Sequence, residues 1–300
     1  MYVTLEPCCH FGKTPPCTDA ILQSKIARVV IGALDPNPLV AGKGLSILQS
    51  RGVEAVFGIL EEDCIRLNEV FFHYIKTGKP FVVMKYAMTM DGKIATAEGK
   101  SKWITGESAR NHVHQSRHRY CAVMVGIGTV LTDDPMLTCR VEKGKNPIRI
   151  ICDTNLRTPL SSRVVATADR AGTIIATSCG ETEKHRPYLD AGCEILMLPQ
   201  KGSHIDLTIL MQALGRRKID SILLEGGGEL NYSALQSGIV NKVQTYVSPK
   251  IFGGRLAKTP VGGTGVSEVN HCFRLKNQQI TWFQEDLLIE SEVEYPCLQE

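Results

Sequence analysis

The stretch Val123–Arg140, VMVGIGTVLTDDPMLTCR, joins a short apolar run to a glycine turn and then to a cluster of polar groups. Val123, Met124 and Val125 have the pattern of a strand covered on both faces, as in a parallel sheet. Gly126 and Gly128 let the backbone turn sharply and approach a ligand closely. Thr129 is placed to cap a following helix, whose free N–H groups make an anion site. Asp133, Asp134 and Arg140 bring charge near the turn, and Pro135 stops the helix. A strand, a tight turn and a solvated loop with no ligand would fit the same letters, because short glycine patterns are weak signals.

A second unit of the same kind lies downstream in IDSILLEGGGELNYSALQSG. Ile222–Leu224 reads as a buried strand, Gly226–Gly228 as a turn, and Glu229–Gln236 as a helix ending at Gly238. Two such turns at one edge of a sheet can cradle a diphosphate between helix starts, although neither is a G-x-G-x-x-G fingerprint. Glu225 ends the strand at that edge, where a carboxylate can accept hydrogen bonds from a substrate ring or hydroxyl.

Bulk properties narrow the function classes. The 300 residues suffice for two domains, and 43% apolar residues supply real cores. A formal charge of +3 from 34 basic and 31 acidic residues gives no dominant field, so neither nucleic acid nor an anionic membrane is expected as a partner. Eleven cysteines, an odd number scattered through a long chain, read as reduced thiols in a cytoplasm. No run approaches a membrane span, and no basic-then-apolar leader follows Met1.

From the N-terminus, Tyr2–Leu5 reads as a strand, followed by Glu6-Pro7-Cys8-Cys9-His10 and Thr14-Pro15-Pro16-Cys17, then a helical pattern. Thiolates at a strand end and a helix start can converge on one soft metal, and the helix start favours the Cys17 thiolate. ARVVIGAL, VEAVFGIL and the helix between them alternate as in an α/β sheet, Glu61–Lys76 reads as one helix, and TGKP marks a domain boundary. The second unit opens with the strand PFVVMKYAMT, interrupted by Lys85, which either reaches solvent or faces a polar pocket. Glu107–Arg119 reads as a polar helix whose histidines form no metal site. Strands follow in PIRIIC, AGTIIATS, CEILMLP and NKVQTYVS, and the tail through Trp282, Leu287 and Ile289 adds edge strands.

TLEPC, HFG and KTPPC, with KYAMTMDGKIA, SKWIT, VGIGTVLTDDPMLTCR and LLEGGGELN in that order, resemble the bifunctional riboflavin-biosynthesis deaminase-reductases across almost the whole chain. The resemblance implies an α/β fold throughout: a truncated cytidine-deaminase-like α/β/α domain over 1–76, then a dihydrofolate-reductase-like α/β domain over 79–297. The implied reaction is NADPH-dependent reduction of 5-amino-6-(5-phosphoribosylamino)uracil, a phosphoribosylated aminopyrimidine, to its ribitylamino form; an assembly of identical chains is left open. Cofactor contacts carried over by motif are Ala87, Trp103, Thr129, Asp133, Thr154 and the run Gly227, Gly228, Glu229, Leu230, Asn231, Tyr232 and Ser233. Substrate contacts are Ser101, Arg117, Leu137, Arg140 and Glu225, with Arg117 and Arg140 as forks for the phosphate. Lys85 is the expected proton carrier, and Asp133 the runner-up for orienting Lys85 or the nicotinamide amide. Thr177 and Ser178 are set down for the 2′-phosphate. In the zinc half the resemblance assigns Cys8 and Cys17 as ligands, but the upstream H-x-E that would supply the third ligand and the proton shuttle is absent, so that hydrolase activity is expected to be missing here. Three competing functions explain less of the chain. A nucleoside deaminase leaves the residues after Pro80 without a purpose, a pterin reductase has no use for the EPC and TPPC motifs, and a noncatalytic scaffold has none for the intact reductase motifs.

Overall fold

In the computed structural model, residues 1–12 and 14–295 are described; Lys13 of the KTPPC motif and the expected domain end at 297 lie outside them. The chain forms two compact units, Met1–Pro80 and Phe81–Glu300.

The first unit runs β1 (Tyr2–Leu5), α1 (Cys17–Gln23), β2 (Arg28–Ala33), α2 (Lys43–Ser50), β3 (Glu54–Phe57), α3 (Glu61–Leu67) and α4 (Glu69–Thr77). Its three strands are all parallel in the order β1-β2-β3, with Ile21, Val29, Ile31 and Leu48 in the core. The single helix expected over Glu61–Lys76 is broken at Asn68. There the side-chain Nδ2 donates to the Cys64 carbonyl at 2.8 Å, a local bond of the kind that competes with helix geometry. Gly32 has a purpose: a Cβ there would collide with the Cys64 side chain, so only glycine lets α3 pack on β2.

The second unit comprises β4 (Phe81–Thr89), α5 (Glu107–Arg119), β5 (Ala122–Gly126), α6 (Ile127–Asp133), β6 (Ile148–Cys152), α7 (Arg163–Ala166), β7 (Thr173–Thr177), α8 (Thr182–Asp190), β8 (Glu194–Met197), β9 (Gln200–Lys201), β10 (His204–Ile205), α9 (Leu207–Arg216), β11 (Ser221–Leu224), α10 (Gly228–Gln236), β12 (Lys242–Ser248), β13 (Arg274–Phe283) and β14 (Asp286–Glu294). Nine strands form one mixed sheet in the order β13-β14-β12-β4-β11-β5-β6-β7-β8. From β12 to β8 every neighbour is parallel, and β14 and β13 add to the β12 edge as antiparallel strands. The central strands are apolar runs because both faces are covered: Val82, Met84, Met124 and Ile150 pack on one side, Val123, Val125 and Ile151 on the other. β11 returns between β4 and β5, while β12 leaves on the far side of β4. A sheet whose strand order reverses in this way opens a crevice at the carboxyl ends of the strands.

Candidate active site

That crevice is a cavity of about 880 Å³. Its base is the pair of glycine turns, Gly126–Thr129 after β5 and Gly227–Glu229 after β11. The turns lie against each other: a Cβ built on Gly227 would stand 4.0 Å from Thr129 Oγ1, and one on Gly126 would stand 3.7 Å from Leu230 Cβ. α10 begins after Gly227 in extended backbone, and no side chain caps its first N–H groups. These free donors at a nine-residue helix start suit an anionic group. Thr129 is not the cap expected for the other helix. α6 starts at Ile127 after Gly126, so Thr129 is its third residue, and this seven-residue helix serves chiefly as a wall.

Ser101, Thr129, Asp133 and Thr154 line the cavity. The run Gly227–Ser233 divides by helical face. Gly227, Gly228, Glu229, Leu230 and Ser233 line the cavity, but Asn231 and Tyr232 do not. Asn231 is fully buried and donates to the Pro260 carbonyl at 2.8 Å, and the Tyr232 hydroxyl donates to the Gly265 carbonyl at 2.7 Å. Both hold the segment 260–265 against α10 through these bonds. Ala87 on β4 and Trp103 also lie off the cavity wall; the Trp103 ring, 61% exposed, has the Arg110 guanidinium 4.6 Å from its centroid. Thr177 and Ser178 also lie off the cavity wall. Thr177 is fully buried and donates to the Thr154 carbonyl at 3.1 Å.

A charged cluster sits beside the glycine turns. The pairing of Met84 with Leu224 brings Lys85 level with Glu225 on the neighbouring strand. Arg117 on α5 grips Glu225 with a bidentate fork, Nε to Oε1 at 2.6 Å and Nη2 to Oε2 at 2.8 Å, and its Nη1 donates to the Thr138 carbonyl at 3.2 Å. The two side chains are only 14% and 12% exposed. Burial alone would push the Glu225 carboxyl up, but Arg117, then Lys85 and His114, outweigh it and hold it at about 2. Burial lowers the Lys85 ammonium below the usual lysine range, Glu225 opposing and Arg117 adding to the effect. The Lys85 Nζ also lies 5.5 Å from the centroid of the Tyr246 ring.

The cluster revises two expectations. Arg117 is not a free fork for a phosphate, because its Nε and Nη2 are paired with the Glu225 carboxylate and its Nη1 donates to the Thr138 carbonyl. The carboxylate acting on Lys85 is Glu225 rather than Asp133, which stands exposed at the end of α6. Arg140 is exposed, and Leu137 is buried in the core with a left-handed backbone, φ 53°. His114 is the residue that sequence reasoning passed over. Burial, Arg117 and Arg140 lower its pKa against the pull of Glu225, and its Nδ1 is buried with no partner among the described residues. Its only signal in the sequence was its place three residues before Arg117, one turn back on the same helix face.

In the first unit, Cys8 and Cys17 are brought together, the Cys17 N–H pointing at Cys8 Sγ at 3.4 Å. The Cys17 thiol is raised, not lowered, by its hydrogen bond with Cys8 and by burial, against the expected pull of the helix start. Glu6 is buried and accepts from the N–H groups of Asp35, Gly42 and Leu45, a structural anchor with its oxygens in use. Among the described residues no group of three or more His, Cys, Asp or Glu side chains is arranged to hold a metal ion. Two thiols do not fit the three-protein-ligand set of a catalytic zinc.

Comparison with known proteins agrees with this geometry. Residues 80–289 match the family model described as the RibD C-terminal domain. The chain is 52% identical over 295 residues to the riboflavin biosynthesis protein RibD of Actinobacillus pleuropneumoniae, covering 98% of this chain and 78% of the relative. The RibD of Aquifex aeolicus is 41% identical over 290 residues, covering 96% and 79%. Among solved structures, a diaminohydroxyphosphoribosylaminopyrimidine deaminase/5-amino-6-(5-phosphoribosylamino)uracil reductase from Thermotoga maritima superposes with a TM-score of 0.82 at 38% identity, covering 99% of this chain and 79% of that one. The chain therefore belongs to the RibD family of riboflavin biosynthesis, and its second unit is the RibD reductase domain.

Proposed function

We propose that the second unit reduces 5-amino-6-(5-phosphoribosylamino)uracil to its ribitylamino form with NADPH as the donor. What supports this reading is continuity along the chain: Glu225, held by Arg117 and level with Lys85, directly precedes the Gly226–Gly228 turn, and Gly227 and Gly228 of that turn line the cavity at the uncapped α10 start. The lining suits a dinucleotide: free N–H groups for a diphosphate, and hydroxyls of Ser101, Thr129 and Thr154 for its sugars. When bound, NADPH supplies the hydride that C1′ of the opened ribose accepts. The protein must orient that carbon and deliver one proton to the attached nitrogen. Lys85 carries the proton, since burial lowers its pKa toward the range where an ammonium donates readily. Glu225, kept ionised and fixed in angle by Arg117, accepts hydrogen bonds from substrate hydroxyls, and Arg140 offers its fork to the ribose phosphate. The test is to follow NADPH absorbance with the purified chain and this substrate. Folded protein that oxidises no NADPH removes the proposal.

For the first unit, we read Cys8 and Cys17 as two ligands of a zinc-dependent deaminase site whose third ligand does not stand with them among the described residues. Deamination needs a metal-bound water and a carboxylate free to move protons, and Glu6 is committed to three backbone N–H groups. The chain is expected to release no ammonia from the pyrimidine. Near-stoichiometric zinc with turnover would overturn this and point to His10 or a partner chain as the third ligand.

A further inference from the structure

We propose that Arg157, with Asn155 and His204 beside it, reads the 2′-phosphate of the dinucleotide and so sets a preference for NADPH over NADH; this rests on the cofactor reading above. The three residues line the end of the cavity where β6 stops and the β9–β10 hairpin closes over it. That end is a built corner: the Ile205 N–H donates to Thr154 Oγ1 at 3.2 Å, which ties the hairpin to the residue after β6. Cys152 pairs with Gly126, so this corner is one strand, roughly 4.8 Å, from the glycine turn that forms the base of the cavity.

Arg157 is exposed, and among the described residues it makes no hydrogen bond or ion pair. An arginine at a cavity wall with all five donors available is matched to a phosphate. The nearby carboxylates are committed elsewhere. Asp153 is fully buried; its Oδ2 accepts from both the N–H and the hydroxyl of Thr158, at 2.7 and 2.8 Å, and its Oδ1 is buried without a partner among the described residues, so neither oxygen is presented at the surface. Asp206 caps α9 by accepting from the N–H groups of Thr208 and Ile209. A site selecting an unphosphorylated ribose presents an acid to the 2′-hydroxyl, whereas one accommodating a 2′-phosphate presents an arginine. This corner presents the arginine and turns its acids away. The other cations on the cavity wall, Lys93, Arg255 and Lys258, come from the segments after β4 and β12, and they supply the competing assignment.

The test compares the full chain with Arg157→Gln and Lys258→Gln, using calorimetric titration with adenosine 2′,5′-bisphosphate and with 5′-AMP. The expected result is a loss of bisphosphate affinity of about 10- to 100-fold in Arg157→Gln, with 5′-AMP changed less than about twofold, and a smaller loss of bisphosphate affinity in Lys258→Gln. The ratio of kcat/KM for NADPH over NADH should fall by a similar factor in Arg157→Gln and recover in part in Arg157→Lys. Bisphosphate binding unchanged in Arg157→Gln, or lost in Lys258→Gln instead, overturns the assignment. A wild-type chain that oxidises NADPH while Arg157→Gln keeps the wild-type cofactor ratio sinks this inference alone. A wild-type chain that neither binds the bisphosphate nor oxidises NADPH overturns the cofactor reading together with it.

Discussion

Lys85 illustrates how one charged residue in an apolar strand acquires a role from its neighbours. Its strand supplies burial, β11 supplies Glu225 across the register, and β12 supplies the Tyr246 ring beneath the ammonium. Lys85→Met keeps the stem and removes the proton. It should lower kcat by about 100-fold, the low end for a general acid, with KM changed only a few-fold. Steady-state kinetics showing an unchanged kcat would pass the proton to Asp133 or to water. Arg140→Ala should act in the other sense, raising KM about 10-fold or more through loss of a charge-assisted contact worth roughly 1.5–3 kcal/mol. A change under about threefold would leave Arg140 as a surface residue. Which residues have chemistry to offer was legible in the sequence at Lys85, Glu225 and Arg117. Their mutual assignment was not, because Arg117 and Glu225 are separated by 108 positions and meet only through the packing of α5 on the sheet. For the same reason the sequence assigned a free arginine to the substrate where the fold has a locked one, and passed over His114 between them.

At the scale of elements, spacing carried most of the information. α5 runs from Glu107 to Arg119 as its polar pattern predicts, and α10 ends at Gln236 before Gly238. Periodicity does not encode which helix face meets a cavity, and so Asn231 and Tyr232 were grouped with Gly227 and Gly228. Those two residues hold down one end of the cavity loop, and Asp91 latches the other. Its carboxylate accepts from the Thr89 hydroxyl at 2.5 Å and from the N–H groups of Phe252 and Gly253 at 3.1 and 2.7 Å. The loop beyond carries Arg255 to Thr259 along the cavity wall. Asp91→Ala should therefore speed amide hydrogen exchange through residues 252–258 and raise the cofactor KM while leaving kcat close to wild type. The Thr89 hydroxyl, and after it the Gly253 and Phe252 N–H groups, hold the Asp91 carboxyl at about 2, so the wild-type latch should persist at pH 5 and release only in strong acid. Unaltered exchange in Asp91→Ala would mean that the loop is held by its other contacts.

For the whole molecule, the second unit buries its ionised pair between α5 and the end of the central strand β11, and this couples stability to acid. Glu225 has an ordinary value of 4.5 and is held at about 2 in the fold, so the folded state binds this proton less readily than the unfolded chain. Stability from this group is fully present above about pH 5 and is lost as pH falls from there through about 2. The shift corresponds to roughly 3 kcal/mol, a large share of a typical domain's margin. Asp35 in the first unit acts with the opposite sign, because burial raises its carboxyl, so the wild-type curve alone mixes the two. Comparison with Glu225→Gln separates them. That variant keeps the shape of the side chain but cannot ionise, and it leaves the buried Arg117 without its countercharge. At pH 7 it should be less stable than wild type by several kcal/mol in urea unfolding monitored on the second unit. Between pH 5 and pH 3 the gap should shrink steadily, since the unfolded wild-type chain takes up the Glu225 proton in that range while the folded state, held at about 2, does not, and the variant has no such proton to bind. A gap that stays constant across that range would show that Arg117 and Glu225 do not form the ionised pair on which both the fold of α5 and the proposed chemistry of Lys85 depend.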